Sequence, residues 1–328
     1  MSDSGTLTER LSALGYRLGW AATRRLPAGA ADRLFTWLAD RVSGGGRGPE
    51  QLRANLGRVV GDANVTRELV RDSMRSYMRY WREAFQLPGM AGPELAAKVD
   101  AGFDEADVRR LDRAIARGRG VVLSLPHSGN WDMAGVWLVD HAGQFTTVAE
   151  RLKPESLFEA FVEYRESLGF EVLPLSGGEA PPFARLREVL EAGGVVCLLG
   201  ERDLSGRGVE VSFFGERTSM PAGAARLAQE TGATLMVYHS SFDGDGWRSS
   251  FSEELDTTAP LEDIVQQQAD IYARNIAAAP VDWHMLQPLW FSDLSESRRR
   301  RLGLDTDAEP REEPAGRPGG QGRGKSSS

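Results

Sequence analysis

Cysteine is almost absent: one residue, Cys197, in a chain of 328. A lone cysteine makes no internal disulfide and no cysteine-rich zinc site, so the expectation is a reducing compartment. Long apolar runs are missing as well. The longest reach six or seven residues, far below the ~20 that a membrane-spanning helix needs. The first residues lack the charged start, apolar run and small-residue cleavage site of a signal peptide, which adds the expectation of a cytoplasmic chain. Histidine is scarce and scattered, at His127, His141, His239 and His284. With no H-E-x-x-H and no cysteine pair, no metal site is expected. There is also no G-x-G-x-x-G and no G-x-S-x-G elbow, which argues against a dinucleotide cofactor and a serine nucleophile.

What is present is ordinary globular composition, 41% hydrophobic and 26% charged, at a length consistent with one large α/β domain and terminal extensions. The net charge of −8 argues against non-specific nucleic-acid binding. That charge is unevenly spread. Residues 1–82 hold 14 Lys/Arg against 8 Asp/Glu, leaving −14 for the remainder. The same stretch reads as amphipathic helices, with Leu7, Leu11, Leu14 and Leu18 at helical spacing among arginines, and an aromatic-basic cluster from Arg75 to Arg82. Such helices over residues 1–90 can lie on an anionic membrane surface or pack on a core, and the pattern fits both. After Arg298-Arg299-Arg300-Arg301 the composition turns to Pro, Gly, Glu, Arg and Ser. Residues 303–328 are therefore expected to be a disordered tail beyond a single domain over 1–302.

From residue 118 onward the pattern alternates. Short buried-type strands at 121–125 and 195–199 bracket helices at 131–141, 155–168 and 181–192 and strands at 144–149 and 170–175. A strand at 209–214, a helix from 221, a hairpin over 233–253 and a helix at 261–278 follow. This predicts an α/β fold with a central, mostly parallel or mixed sheet flanked by helices on both faces.

Reactive groups in such sheets gather at the carboxyl ends of strands. Two strand ends run straight into ionisable residues: Pro126-His127-Ser128-Gly129-Asn130-Trp131-Asp132 and Gly200-Glu201-Arg202-Asp203. His127 can take a proton from a hydroxyl near neutral pH, and Glu201 can orient the imidazole. Asp132 opens a helix, where its carboxylate can accept from His127, from free amides, or simply cap. With the other chemistries excluded, the pattern points to direct transfer to a deprotonated hydroxyl, without cofactor or covalent intermediate.

His127 to Asp132 resembles the H-x-x-x-x-D block of glycerolipid-type acyltransferases, in the form used by the lipid A lauroyl/myristoyl acyltransferase family. The likeness continues in Val148-Ala149-Glu150-Arg151, Tyr164 to Gly169, Glu201-Arg202-Asp203-Leu204, Phe213-Phe214-Gly215, Met220-Pro221-Ala222-Gly223 and Asp282 to Trp290. This ordered set, over roughly residues 1–300, resembles the actinobacterial phosphatidylinositol mannoside acyltransferases. The resemblance implies a glycerolipid-acyltransferase-like fold and a peripheral enzyme on the cytoplasmic face of the membrane. It implies transfer of a palmitoyl-type chain from acyl-CoA to the 6-hydroxyl of a mannose, with no cofactor besides the donor. By the same carry-over His127 is the general base, Glu201 its partner and Asp132 the motif acid, mainly a holder of geometry. Glu150, Arg165, Arg202, His284 and Asn130 are then expected around acceptor or thioester, Glu150 and Arg165 equally as a brace of ion pairs. Oxyanion donors are expected from backbone amides near 128–130 or from Arg202, and a tail groove from Trp131, Met133, Val136, Trp137 and Phe213. A thioesterase using the same pair, or a different glycolipid acceptor, is the alternative.

Overall fold

A computed structural model describes residues 23, 26–151, 155–178, 181–301 and 304. The leucine-spaced helix expected before residue 23 and the tail beyond 304 lie outside the described residues. Three helices lead: α1 (Ala28–Val42), α2 (Glu50–Val60) and α3 (Arg67–Met90). The glycine-rich break at 43–49 separates the first two, with Gly44, Gly45, Gly46 and Gly48 all at positive φ, a region that favours glycine. Thr66 caps α3 by accepting from the Leu69 amide at 3.1 Å, a bond that satisfies one of the free donors of the first turn. Two short helices follow, α4 (Pro93–Asp100) and α5 (Glu105–Ala116). Gly102 sits against the Trp247 backbone between them, and Asp104 caps α5 through the Ala106 amide at 2.7 Å.

The alternating part follows as β1 (Val121–Leu125), α6 (Trp131–Ala142), β2 (Phe145–Ala149), α7 (Glu155–Glu166), β3 (Glu171–Pro174), α8 (Pro182–Glu191) and β4 (Val195–Leu199). Then come β5 (Val209–Phe213), β6 (Glu216–Met220), α9 (Gly223–Thr231), β7 (Thr234–Asp243), β8 (Gly246–Phe251), α10 (Leu261–Ala278) and α11 (Glu296–Arg301). Six strands make one sheet in the order β3-β2-β4-β1-β7-β8. Its first five run parallel and β8 returns antiparallel. The sheet is thus mixed, mostly parallel and flanked by helices, as expected. The β5–β6 hairpin stands apart. Its second strand was not anticipated, because its turn is Phe214-Gly215, with Phe214 itself at φ 50°, rather than an Asn-Gly or Asp-Gly signal.

Side-chain alternation along the strands fills two cores. Val121, Leu123 and Leu125 of β1 face α4, α5, α6 and α7, with Leu95, Leu111, Met133 and Phe161. Val122 of β1 and Val196 of β4 face α8, α9 and α10, with Leu190, Leu227 and Ile264. Both faces of β1 are apolar because both are covered, which is the reason its sequence is a continuous run instead of an alternating one. Leu52, Leu56, Val70 and Met74 form a third, smaller cluster among the N-terminal helices.

Candidate active site

The register of the sheet builds the site. Leu125 of β1 pairs with Leu199 of β4, so His127 and Glu201, each two residues past its strand, emerge side by side. His127 Nδ1–H donates to Glu201 Oε1 at 2.8 Å, and the His127 amide donates to the same oxygen at 2.5 Å. Glu201 is fully buried while about a third of the His127 side chain is exposed, 33%. The carboxylate therefore sits behind the ring, fixing the tautomer that leaves the Nε2 lone pair facing outward. Beneath Glu201, Gly200 rests on the hydrogen-bonded hydroxyls of Ser124 and Tyr272. Burial pushes the Tyr272 phenol up, and the nearby Glu201 charge adds to the shift.

The turn carrying His127 is held by the segment that follows α10. Gly129 N donates to Asp282 O at 2.9 Å, and His284 N donates to His127 O at 2.8 Å. Gly129 takes φ +58°, and a side chain there would meet the Ser240 backbone at 2.6 Å, so the turn demands glycine on both counts. The Ser128 amide donates to Pro126 O at 2.8 Å. The amides of residues 127, 128 and 129 thus donate within the protein, so of the amides expected near 128–130 those of Ser128 and Gly129 are already engaged. Arg202, the other expected donor, remains at the cleft.

Asp132 does not reach His127. It is fully buried and accepts from Arg165 Nε at 2.9 Å and Nη2 at 3.4 Å, and from the Tyr80 hydroxyl at 3.3 Å. Burial works against the Arg165 charge, but the adjacent Asp132 carboxylate more than compensates and holds the guanidinium protonated well above its ordinary range. Arg165 also lies over the Trp131 ring at 4.2 Å. Glu150 is exposed and pairs at 3.5 Å with Arg202. The two bracing ion pairs are therefore Asp132–Arg165 inside and Glu150–Arg202 at the mouth.

Asn130 is the N-cap of α6: its Oδ1 accepts from the Met133 amide at 3.3 Å, and its Nδ2 donates to Glu83 Oε2 at 2.8 Å. His284 has its ring Nε2 2.9 Å from Ser76 Oγ. Burial, with a smaller contribution from the facing His127, pushes His284 down to about 3, so it stays neutral at physiological pH. Asp203 organises the loop that leaves β4. Burial would raise its carboxyl, but bonds from Ser219, Gly208 and Ser205 hold it below the usual range.

Two cavities meet at this point. An open cleft of about 260 Å³ is lined by His127, Glu150, Arg202, Phe183, Leu204 and Leu227. An apolar cavity of about 170 Å³ runs between α6 and the sheet, past Leu123, Ala134, Gly135, Leu138, Phe145 and Tyr238. Val148, Glu150 and Leu199 line both. The cavity follows the Trp131, Ala134, Gly135, Leu138 face of α6, at i, i+3, i+4 and i+7, where two small residues leave space against the sheet. Of the expected tail residues Trp131 and Trp137 line it. Met133 and Val136 pack into the first core and Phe213 into the second, on the far side of the sheet.

Sequence reasoning passed over Ser76, Tyr80 and Glu83 of α3, which reach Asp282 and His284, Asp132, and Asn130 respectively. Their spacing of four and three residues was the available signal, hidden in a stretch that reads as aromatic and basic.

With this geometry in place, the comparisons with known proteins are specific. A family described as bacterial lipid A biosynthesis acyltransferase matches residues 7–292. The chain is 56% identical over 293 residues to a phosphatidylinositol mannoside acyltransferase of Mycolicibacterium smegmatis, covering 88% of this chain and 95% of that protein. It is 54% identical over 300 residues to the protein of the same description from Mycobacterium tuberculosis H37Rv, covering 90% and 94%.

Proposed function

The chain belongs to the bacterial lipid A biosynthesis acyltransferase family, and from that premise we propose that it moves a palmitoyl-type chain from acyl-CoA to the 6-hydroxyl of a mannose in a phosphatidylinositol mannoside. The observation that carries this reading is the His127–Glu201 pair, with His127 lining a cleft that also holds Glu150 and Arg202 and that shares Val148, Glu150 and Leu199 with an adjoining apolar cavity. The cavity takes the acyl tail and the cleft takes the sugar, so the thioester carbonyl lies beside His127. The names of the two relatives support the mannoside acceptor.

In this mechanism His127 Nε2 accepts the proton of the sugar hydroxyl as its oxygen attacks the thioester carbon. Glu201 stabilises the imidazolium that forms. The oxyanion of the tetrahedral species is met by Arg202, whose guanidinium shares the cleft with His127. Collapse breaks the C–S bond, the proton passes from His127 to the departing thiolate, and the ester remains on mannose. Protons and electron pairs balance without an acyl-enzyme. Asp132, Arg165, Asn130 and His284 form the inner wall that keeps the turn in register, and Glu150 sets Arg202 at the mouth.

Both substrates are amphiphiles, and α1 offers a surface for reaching them. Its inner face buries Ala31, Phe35 and Ala39, while Arg33, Leu34, Trp37 and Arg41 point outward, Trp37 at 60% exposure. An exposed tryptophan flanked by arginines suits the headgroup region of an anionic bilayer. No helix among the described residues is long and apolar enough to cross a membrane.

The test is product analysis. Incubated with palmitoyl-CoA and phosphatidylinositol dimannoside in vesicles, the protein is expected to yield a mannoside one palmitoyl heavier, with fragmentation placing the ester at the mannose 6-position. Release of free palmitate at an unchanged rate, with or without mannoside, would instead identify a thioesterase.

A further inference from the structure

Helix α3 carries three polar side chains on one face at i, i+4 and i+7: Ser76, Tyr80 and Glu83, each under 10% exposed. Buried polar groups are costly unless paired, and the partners of these three converge on one place. Ser76 Oγ donates to Asp282 Oδ1 at 2.7 Å and lies 2.9 Å from His284 Nε2. Asp282 and His284 are the residues whose backbones hold Gly129 N and His127 O. Tyr80 donates to Asp132, and Glu83 Oε2 accepts from Asn130 Nδ2 at 2.8 Å and from Trp247 Nε1 at 2.9 Å. Apart from the Trp247 bond, which ties Glu83 to β8, and the pairs of Glu83 with Arg79 and Arg82 of its own helix, these contacts end on the turn over residues 127–132 or on a residue that grips it.

The opposite side of α3 does different work. Arg75 pairs with Asp40 and Arg82 with Asp32, both on α1, while Val70 and Met74 join the small N-terminal cluster. The helix is therefore tied to its neighbours by one side and to the catalytic turn by the other. A turn that leaves a strand, bends at a positive-φ glycine and enters a helix has little ladder bonding of its own, so its shape is set by what grips it.

We propose that Ser76, Tyr80 and Glu83 are positioning residues for acyl transfer: through Asp282, Asp132 and Asn130 they set where the His127 imidazole stands relative to the acceptor hydroxyl. The inference rests on the reading of His127 as the base. It adds that the base is aimed from the N-terminal helical layer rather than from the sheet alone.

Three variants test it with little change of shape: Ser76→Ala removes the contacts with Asp282 and His284, Tyr80→Phe removes the bond to Asp132, and Glu83→Gln removes the charge that faces Asn130, Trp247, Arg79 and Arg82. Arg75→Ala, on the other side of the helix, is the control. Because a misplacement of about 1 Å costs on the order of 100-fold in rate, kcat is expected to fall about tenfold in each single variant and further in Tyr80→Phe/Glu83→Gln. KM for palmitoyl-CoA and for the mannoside is expected to stay within about twofold, the signature of a lost transition-state arrangement. Arg75→Ala is expected to keep native kcat, and circular dichroism with thermal melts confirms that each assayed variant is folded. Native kcat in the folded Tyr80→Phe/Glu83→Gln protein would overturn the proposal, as would an equal fall in Arg75→Ala. Mannoside acylation by the native chain and its loss in His127→Ala, read in parallel, isolate the two claims. If those hold while the α3 variants keep native kcat, the positioning proposal alone fails.

Discussion

Replacing His127 with alanine is expected to lower kcat/KM for acyl transfer by about 10²–10⁴-fold, the range supplied by a positioned general base. The structure gives the reason that no neighbour takes over. Asp132 is locked to Arg165 and Tyr80, His284 has its ring against Ser76, and Glu201 is fully buried behind the imidazole. KM for palmitoyl-CoA should change little, because the apolar cavity lies on the far side of Val148 and Leu199 and keeps its lining. The ring is a third exposed, but its loss leaves the fully buried Glu201 carboxylate with the residue-127 amide as its bonded donor, so stability is expected to fall by about 1–3 kcal/mol. Glu201→Gln keeps an acceptor oxygen for the His127 amide and ring but removes the charge that stabilises the imidazolium, so its rate should fall between native and His127→Ala. Coenzyme A release and acylated lipid, measured together, check both. A His127→Ala protein with native mannoside acylation would contradict the assignment.

Arg165→Leu should produce the largest change in stability, a loss of about 3–5 kcal/mol, because it strands a buried carboxylate without its partner. Asp132 is fully buried, and among the described residues Tyr80 at 3.3 Å would be its remaining side-chain donor. Denaturant unfolding measures the effect as a shift of midpoint at constant slope. The double variant Asp132→Leu/Arg165→Leu removes both charges and is expected to regain most of the lost stability, since apolar replacement of a whole buried pair is often neutral. Its activity should remain low, because the start of α6 would no longer be tied to α7. Arg165→Lys is not a conservative change at this position: it gives up the two-pronged contact with Asp132 and the guanidinium contact over the Trp131 ring. Full activity in the stable double variant would show that the pair serves folding alone.

Much of this arrangement was legible in the residues, and for identifiable reasons. The runs 121–125 and 195–199 announced central strands because a strand covered on both faces needs apolar residues at every position. Charged residues directly after such runs marked the site, since burial confines them to edges or partners. The hairpin expected over 233–253 is likewise formed by β7 and β8, which turn at Asp243–Gly246. What stayed hidden depended on tertiary contact. Nothing local says that Asp132 faces Arg165, 33 residues away, rather than His127. The cavity follows the face of α6 with Ala134 and Gly135, because space is left by small side chains and not by the large apolar ones that the eye selects. The α3 row was obscured because its partners come from residues 130–132 and 282–284, and helix periodicity in one segment does not reveal what another segment brings to it.

Coenzyme A release in the first turnover bears most directly on the central claim, that the acyl chain passes straight from donor to mannose hydroxyl at His127. Protein in stoichiometric amount is mixed rapidly with palmitoyl-CoA, first without and then with phosphatidylinositol dimannoside, and the thiol and the intact protein mass are followed together. Direct transfer predicts slow release with no burst until the mannoside is added, then rapid release with the acyl group on lipid and the protein mass unchanged. A stoichiometric burst in the absence of mannoside, with a palmitoyl group on the protein, would contradict it.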